Sequence, residues 1–318
     1  MREISSRPRP RRRGITLIEL LVVLTVLMIL ASAALQRLPS GMDQARTREA
    51  SRAVHLYLNS ARQLAMATGR PCGVMIERLP ANPQCSMTLT QVETPAPYGG
   101  DSIGAVASVT LTSLSGGTAQ VQATFNSGFD NNIVHVNDQI QFNYQGPWYT
   151  ITSVGSGSLA GTVDQVQNLP WNGGSPGVPY EILRRPVKSA ASALQLPSPA
   201  VVDLACSGPD SLSGGTASNW GSDTSPVTIL FSPSGSVDRI CYANNYAFAP
   251  APIYLLVGKV EKVGMAPGQT NLDDQTNLWV AVNPVTGLIV TTDMAAVGAA
   301  NLFQSRSFAR QSDAMAGR

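Results

Sequence analysis

The longest apolar run of the chain lies close to its N-terminus. Residues 15–35 read ITLIELLVVLTVLMILASAAL and hold one charged side chain, Glu19. A helix rises about 1.5 Å per residue, so a run of this length reaches about 30 Å, the thickness of the apolar core of a bilayer. We therefore predict a membrane-spanning helix over residues 15–38.

The following stretch has the pattern of an amphipathic helix. Residues 42–68 contain neither Pro nor Gly. Apolar and small side chains recur at intervals of three, four and seven positions, which places them on one helical face: Val54, Tyr57, Leu58, Ala61, Leu64, Ala65 and Thr68. Gly69 and Pro71 end the pattern. If residues 39–41 only kink the chain, one helix over residues 15–68 is about 80 Å long.

The rest of the chain has the pattern of short strands separated by turns rich in Gly, Pro, Ser and Asn. The runs expected to build the head are 72–79, 86–92, 200–206, 227–231, 236–242, 278–282 and 288–292. A second group falls between residues 95 and 185, at 106–111, 119–125, 139–144, 149–154 and 161–166. We predict an α+β fold in which a long N-terminal helix packs on an antiparallel β-sheet head, with an inserted all-β module over residues 95–185.

Charge is concentrated in a short leader. Residues 1–14 hold six arginines and one acid, a net charge of +5, whereas the remaining residues carry −3. An excess of basic residues before an apolar span keeps that end in the cytoplasm. Only 13% of the 318 residues are charged, and this low fraction favours a β-rich extracytoplasmic protein over a cytosolic nucleic-acid-binding one.

Glu19 is unusual within its apolar run. A carboxylate inside a transmembrane helix costs roughly 2.5–3.5 kcal/mol and is a functional site by default. It is tolerated when it is paired with a cation. An ordinary secretory signal has an apolar core of about 7–15 residues followed by a cleavage site, and this segment does not fit that pattern.

These residues carry a family resemblance. The basic leader followed by Gly14, Ile15, Thr16 and Glu19 resembles the type III signal of type IV pilins and type II secretion pseudopilins. The resemblance implies that a prepilin peptidase cuts between Gly14 and Ile15 and that the new amine of Ile15 is methylated. It also implies that Glu19 pairs with the N-terminal amine of a neighbouring subunit in a filament.

Further segments resemble the GspH/FimT group of minor subunits. They are ARQLAMATGRP, which starts at Ala61, LFSPSG, which starts at Leu230, and the final hairpin. With this resemblance we divide the chain into a cleaved leader (1–14), an assembly helix (15–38), an amphipathic helix with the first head strands (39–94), the inserted module (95–185), the remaining head (186–296) and a flexible tail (297–318).

The resemblance implies a structural role in assembly. We expect a minor pseudopilin of a type II secretion-like machine, held in the bacterial inner membrane with a cytoplasmic N-terminus and a periplasmic head, and then moved into a filament. Expected partners are the prepilin peptidase, other pilin or pseudopilin subunits, the inner-membrane assembly platform and secreted cargo, but not nucleic acid.

The alternative is a minor pilin of a type IV pilus, which serves adhesion, motility or DNA uptake. A third hypothesis is a membrane-anchored periplasmic binding domain.

Candidate chemistry in the head is sparse. We expect no enzymatic activity and no cofactor, because the sequence offers no nucleophile with a nearby base and no nucleotide-binding fingerprint. An even number of cysteines in an extracytoplasmic chain suggests disulfides. The pairs considered are Cys206 with Cys241 and Cys72 with Cys85, while four buried thiols are the alternative.

One loop holds two adjacent acids that are candidate metal ligands. The adjacent acids Asp273 and Asp274 lie in a polar segment and are a weak candidate for Ca²⁺ binding. Their spacing lacks the EF-hand pattern, so we expect solvent-exposed acids and no bound metal.

Overall fold

The computed structural model of the protein describes residues 16–35, 38–115, 117–164, 177–210, 218–243, 245–249, 251–266, 268–295 and 302–316. The chain divides after residue 45 into two compact units. The described part of the first unit is helical, and the second unit holds all the strands.

The helices are α1 (Leu17–Leu35), α2 (Leu38–Thr68) and α3 (Leu302–Ala316). The sequence predicts a break at residues 39–41, but these residues belong to α2, which continues through them. Pro39 lies in its first turn, where a backbone N–H has no partner within a helix and its loss is harmless. Gly69 ends α2 with a positive φ of 66° and donates its N–H to the carbonyl of Ala65 at 3.1 Å.

The strands, in chain order, are β1 (Cys72–Glu77), β2 (Cys85–Ser86), β3 (Thr88–Glu93), β4 (Ala107–Ser115), β5 (Thr118–Phe125), β6 (Gln139–Phe142), β7 (Tyr149–Gly155), β8 (Ser158–Val163), β9 (Tyr180–Leu183), β10 (Val187–Lys188), β11 (Leu194–Gln195), β12 (Ala200–Pro209), β13 (Val227–Phe231), β14 (Val237–Tyr242), β15 (Asn245–Ala247), β16 (Ile253–Lys259), β17 (Leu278–Val282) and β18 (Ile289–Asp293). Two short 3₁₀ helices, Val260–Lys262 and Asn271–Asp273, follow β16.

These strands form three antiparallel sheets. The first sheet has the order β10-β3-β1-β13-β14-β15, with β11 also beside β3. The second sheet has the order β18-β17-β16-β12-β2, and the third has the order β4-β5-β8-β7-β6-β9. The third sheet therefore contains every named strand between residues 95 and 185.

One hydrophobic core joins α2 to the first and second sheets. The buried face of α2 carries Ala50, Val54, Leu58, Ala61 and Ala65, at helical spacings of three and four. The facing side chains come from alternate positions of the strands, among them Val74, Ile76, Ile229, Phe231, Leu255, Val257, Val280 and Val282. The predicted packing of an amphipathic helix on antiparallel sheet is confirmed.

Arg62 holds the end of α2 against two hairpin turns. Its Nε donates to the carbonyl of Gly235 at 2.9 Å, and its Nη2 donates to the carbonyl of Thr286 at 3.0 Å. The turns approach so closely that a Cβ on Gly287 would lie 1.7 Å from the Gly235 oxygen. Only glycine fits there, where φ is also positive at 63°.

The other face of the second sheet is covered by α3. Ala309 packs there with Tyr254, Leu256 and Trp279. The flexible tail predicted over residues 297–318 is corrected for the described part, which is the helix Leu302–Ala316. The completely buried side chain of Arg306 holds this helix in place. The sequence of the helix is largely polar and does not predict such burial.

The inserted segment has a core of its own. Ile140, Phe142, Tyr149 and Ile182 are buried in it, together with alternate residues of β4 and β5. Ala107 in β4 exchanges two backbone hydrogen bonds with Val178, just before β9, at 2.8 and 2.9 Å. The first and last strands of the third sheet are therefore joined, and the sheet curls towards a small barrel.

Candidate functional site: an assembly helix and a basic cleft

Helix α1 begins with a side-chain cap. The N–H of Glu19 donates to Oγ1 of Thr16 at 3.3 Å, and the N–H of Leu20 donates to the Thr16 carbonyl at 3.1 Å. Thr16 and Glu19 have the spacing of a capping box. The carboxylate of Glu19 consequently lies in the first turn, at the positive end of the helix dipole, which favours a negative charge.

The apolar side chains of α1 face outward on every side. The large ones from Leu17 to Leu30 are between 48% and 84% exposed. A helix that is apolar all round is stable when an apolar environment or other helices surround it. Glu19 is the one charged side chain of this helix and is also exposed.

Both predicted processing residues, Gly14 and Ile15, lie outside the described residues. Within the part of the chain that the structure describes, no helix combines the length and the apolar character that crossing a bilayer requires. The membrane span predicted over residues 15–38 therefore stays a prediction.

The head contains a cleft between the first and third sheets, which we call the basic cleft. It is lined by Arg70 after α2, by Arg184 after β9, by Arg239 of β14 and by Tyr246 of β15. The prolines of both connections to the third sheet also line it. Two cavities of about 280 and 520 Å³ occupy this region, and both contact Arg184 and Tyr246.

Hydrogen bonds fix the arginines of the basic cleft to different degrees. Arg239 donates from Nη1 to Oε1 of Gln139 at 2.9 Å and from Nε to Asp238 at 3.2 Å. It thereby links the first sheet to the third. Arg184 donates from Nε and Nη2 to the single carbonyl of Ala96, at 3.3 and 3.0 Å. Arg70 is exposed.

Tyr246 carries a buried hydroxyl in the basic cleft. Among the described residues this oxygen has no hydrogen-bond partner. Burial raises the pKa of the phenol well above its usual value, so the hydroxyl is a donor at neutral pH. The guanidinium of Arg239 lies 5.8 Å from the centre of the Tyr246 ring, which is cation–π distance.

The two acids considered for Ca²⁺ are engaged by neighbouring protein groups. Asp273 accepts hydrogen bonds from the N–H of Gly268 and from the N–H and Oγ1 of Thr270, at 3.0, 2.9 and 2.7 Å. Its carboxylate closes the capping box of the 3₁₀ helix that follows Thr270. Within the described segments no group of three or more His, Cys, Asp or Glu side chains is arranged to hold a metal.

Asp274 is an ion-pair partner. It lies 3.0 Å from Nζ of Lys259 and 2.8 Å from Nζ of Lys262, and it accepts from Oγ1 of Thr276 at 2.6 Å. Burial alone would raise the pKa of this carboxyl, but the hydrogen bonds from Lys262, Thr276 and Lys259 outweigh it and hold the pKa well below 3.8. The expectation of solvent-exposed acids is corrected for Asp274, which is only 9% exposed.

All four cysteines are thiols in the structure, so the disulfides considered from the sequence are corrected. Cys72 in β1 lies opposite Glu93, whereas Cys85 in β2 lies opposite Asp203 of the second sheet. Cys206 and Cys241 belong to different sheets. Burial raises the pKa of the Cys85 thiol to about 11, so this group is a poor nucleophile.

The sequence pattern predicts a role for Glu19 but gives no sign of the basic cleft. Arg70, Arg184 and Arg239 are far apart along the chain, and only the register of the sheets brings them together. A local signal was present at 184–186, where two arginines and a proline stand at the border of the inserted module.

Comparison with known proteins finds a match at the N-terminus. Residues 9–35 match the profile of the family described as the prokaryotic N-terminal methylation motif. No curated protein and no solved structure matches the chain. The matched motif is a prepilin-type signal and supports a pilin-like or pseudopilin protein, processed by prepilin peptidase and assembled with other pilins.

Proposed function

We propose that this chain is a minor pseudopilin of a type II secretion-like machine, of the GspH/FimT kind. In this proposal the peptidase cuts between Gly14 and Ile15 and methylates Ile15. The mature subunit is then held in the bacterial inner membrane, with its head in the periplasm, until it joins a short filament. The protein acts by assembly and is not an enzyme.

The observation that carries the proposal is the placement of Glu19. Its carboxylate stands in the first turn of a helix whose other side chains in that turn are exposed and apolar. In an apolar environment such a charge needs a partner. The N-terminal amine of a neighbouring subunit supplies a cation at the matching end of the adjacent helix, so the pair selects the register in which helices dock.

The remaining features of the chain support the same role. The exposed apolar surface of α1 suits either lipid or a bundle of identical helices. The leader of net charge +5 favours retention of the N-terminus in the cytoplasm. The second unit is a β-rich head with a covered core, which can present surface to other subunits or to secreted cargo.

The test separates processing from assembly. Glu19→Gln removes the charge but leaves the leader intact, and Glu49→Gln, at an exposed position of α2, is the matched control. We expect Glu19→Gln to be cut normally and to be missing from the sheared filament fraction, while Glu49→Gln is found there. Normal incorporation of Glu19→Gln would refute the assembly role of this carboxylate.

The choice between a pseudopilus and a type IV pilus needs a second assay. We expect deletion of the gene to stop release of exported proteins while leaving surface pili, motility and DNA uptake unchanged. The opposite pattern would assign the chain to a pilus. A membrane-anchored binding domain would require neither cleavage after Gly14 nor Glu19.

A further inference from the structure

The basic cleft belongs to the second unit of the chain, whereas α1 belongs to the first. Its walls come from the end of α2, from both connections between the head and the inserted module, and from β14 and β15. We propose that the basic cleft binds an acidic peptide segment of another protein, with the arginines holding carboxylates and the prolines and leucines of its walls contacting apolar side chains.

Charge complementarity is the first support for an acidic occupant. Three guanidinium groups, those of Arg70, Arg184 and Arg239, line the smaller cavity with one carboxylate, Asp238. Asp238 is paired with Arg239 at 3.2 Å, so the cavity keeps an excess of positive charge. The chain beyond residue 14 is net negative, at −3. The basic cleft is therefore positively charged although the chain beyond the leader is net negative. A concave basic surface of this kind attracts anions.

Hydrogen-bonding capacity is the second support. Arg184 uses Nε and Nη2 on one carbonyl, that of Ala96, which fixes the plane of the guanidinium. Its Nη1 is left for a ligand. No described side chain forms a hydrogen bond or ion pair with Arg70. A guanidinium binds a carboxylate through two parallel hydrogen bonds, which gives both strength and direction.

The hydroxyl of Tyr246 is the third support. Tyr246 lines both cavities, and its buried oxygen has no partner among the described residues. A buried donor without an acceptor destabilises the protein. A ligand oxygen that reached this hydroxyl would remove that destabilisation, so the site is more stable when it is occupied by an acceptor.

The apolar walls favour a peptide over a small inorganic anion. Pro71, Leu183 and Leu230 line the smaller cavity beside the arginines, and Leu230 is only 3% exposed. The two cavities continue past Pro95 and Pro186, which contact both. An extended chain advances about 3.3 Å per residue and alternates its side chains, so acidic and apolar side chains of one segment can reach both kinds of wall.

The experiment uses the full chain in detergent and two labelled octapeptides. Both alternate leucine with a second residue, which is glutamate in the acidic probe and glutamine in the neutral probe. We expect fluorescence anisotropy to show that the acidic probe binds at least about tenfold more tightly, a difference of about 1.4 kcal/mol. Added salt should weaken that binding.

Variants locate the binding. Arg70→Gln and Arg184→Gln should each weaken binding of the acidic probe by about five- to tenfold. Arg52→Gln is the matched control, because Arg52 is an exposed arginine of α2 that does not line the cleft. Tyr246→Phe should weaken binding by about threefold without lowering Tm, since the hydroxyl loses no protein partner.

Two outcomes would overturn the proposal. One is equal binding of both peptides, or equal effects of Arg70→Gln, Arg184→Gln and Arg52→Gln. The other is saturation of the cleft by inorganic phosphate alone, with neither peptide able to compete. The assay involves neither cleavage nor filament assembly, so its result is independent of the proposed function.

Discussion

Removal of the Arg306 side chain should release α3 from the second sheet. The guanidinium is completely buried. It donates from Nη1 to the carbonyls of Pro209 and Ser218, at 3.0 and 3.1 Å, and from Nη2 to that of Cys206, at 2.7 Å. It also lies 5.8 Å from the ring of Tyr254 and 5.9 Å from that of Trp279.

The expected loss follows from two opposed effects. A hydrogen bond with a charged donor contributes roughly 1.5–3 kcal/mol, and three are lost in Arg306→Ala. Against this, burial lowers the pKa of Arg306 from 12.5 to about 10. Each pKa unit is about 1.4 kcal/mol, so the charged form is penalised by about 3 kcal/mol that the substitution removes. We expect a net decrease of about 3 kcal/mol in the free energy of unfolding.

Two assays measure this release. Denaturant unfolding of the full chain should show the lower free energy, and trypsin should cleave after Arg310 faster in Arg306→Ala. Gln304→Ala is the control, because Gln304 is an exposed residue of the same helix. If Arg306→Ala unfolds like Gln304→Ala and trypsin cleaves both at the same rate, then α3 is not held by this side chain.

Two other predictions concern the head. Asp274→Asn removes the ion pairs with Lys259 and Lys262 and should lower the free energy of unfolding by about 2 kcal/mol at pH 7. Because the folded-state pKa of Asp274 is lowered, its stabilisation is present above about pH 4 and lost as pH falls below 3.8, so the two proteins should converge in acid unfolding curves. All four cysteines should react with a maleimide after unfolding without reductant, and reaction of only two or none would contradict the thiol assignment.

Elements with a helical repeat, or with a hairpin turn beside a short apolar run, could be predicted from the sequence. The buried side of α2 repeats at helical spacing, and Val54, Leu58 and Ala61 were correctly placed on it. β13 and β17 have the predicted bounds, 227–231 and 278–282. In these segments the local pattern and the tertiary contacts agree.

One strand of the second sheet, β16, was missed. β16 reads IYLLVGK without alternation, since Leu255 faces α2 while Leu256 faces α3. A continuous apolar run of this length does not distinguish strand from helix by periodicity. The docking of α3 was missed for another reason. It depends on the buried Arg306, which donates hydrogen bonds to backbone carbonyls. A pattern of hydrophobic residues does not predict such contacts.

The residues of the candidate site also differ in whether the sequence predicts them. Glu19 belongs to a contiguous motif of leader, glycine and apolar helix, so its role could be proposed from the sequence alone. The basic cleft is built by Arg70, Arg184 and Arg239, and their meeting depends on how the third sheet is connected to the first. Long-range contacts of this kind leave no local pattern.

We propose above all that the chain is a processed filament subunit. The most direct test is the intact mass and N-terminal peptide of the protein extracted from cells with and without prepilin peptidase. We expect a mature chain that starts at N-methylated Ile15 and whose formation depends on the peptidase. A chain that keeps Met1, or one cut after the apolar run by ordinary signal peptidase, would contradict it.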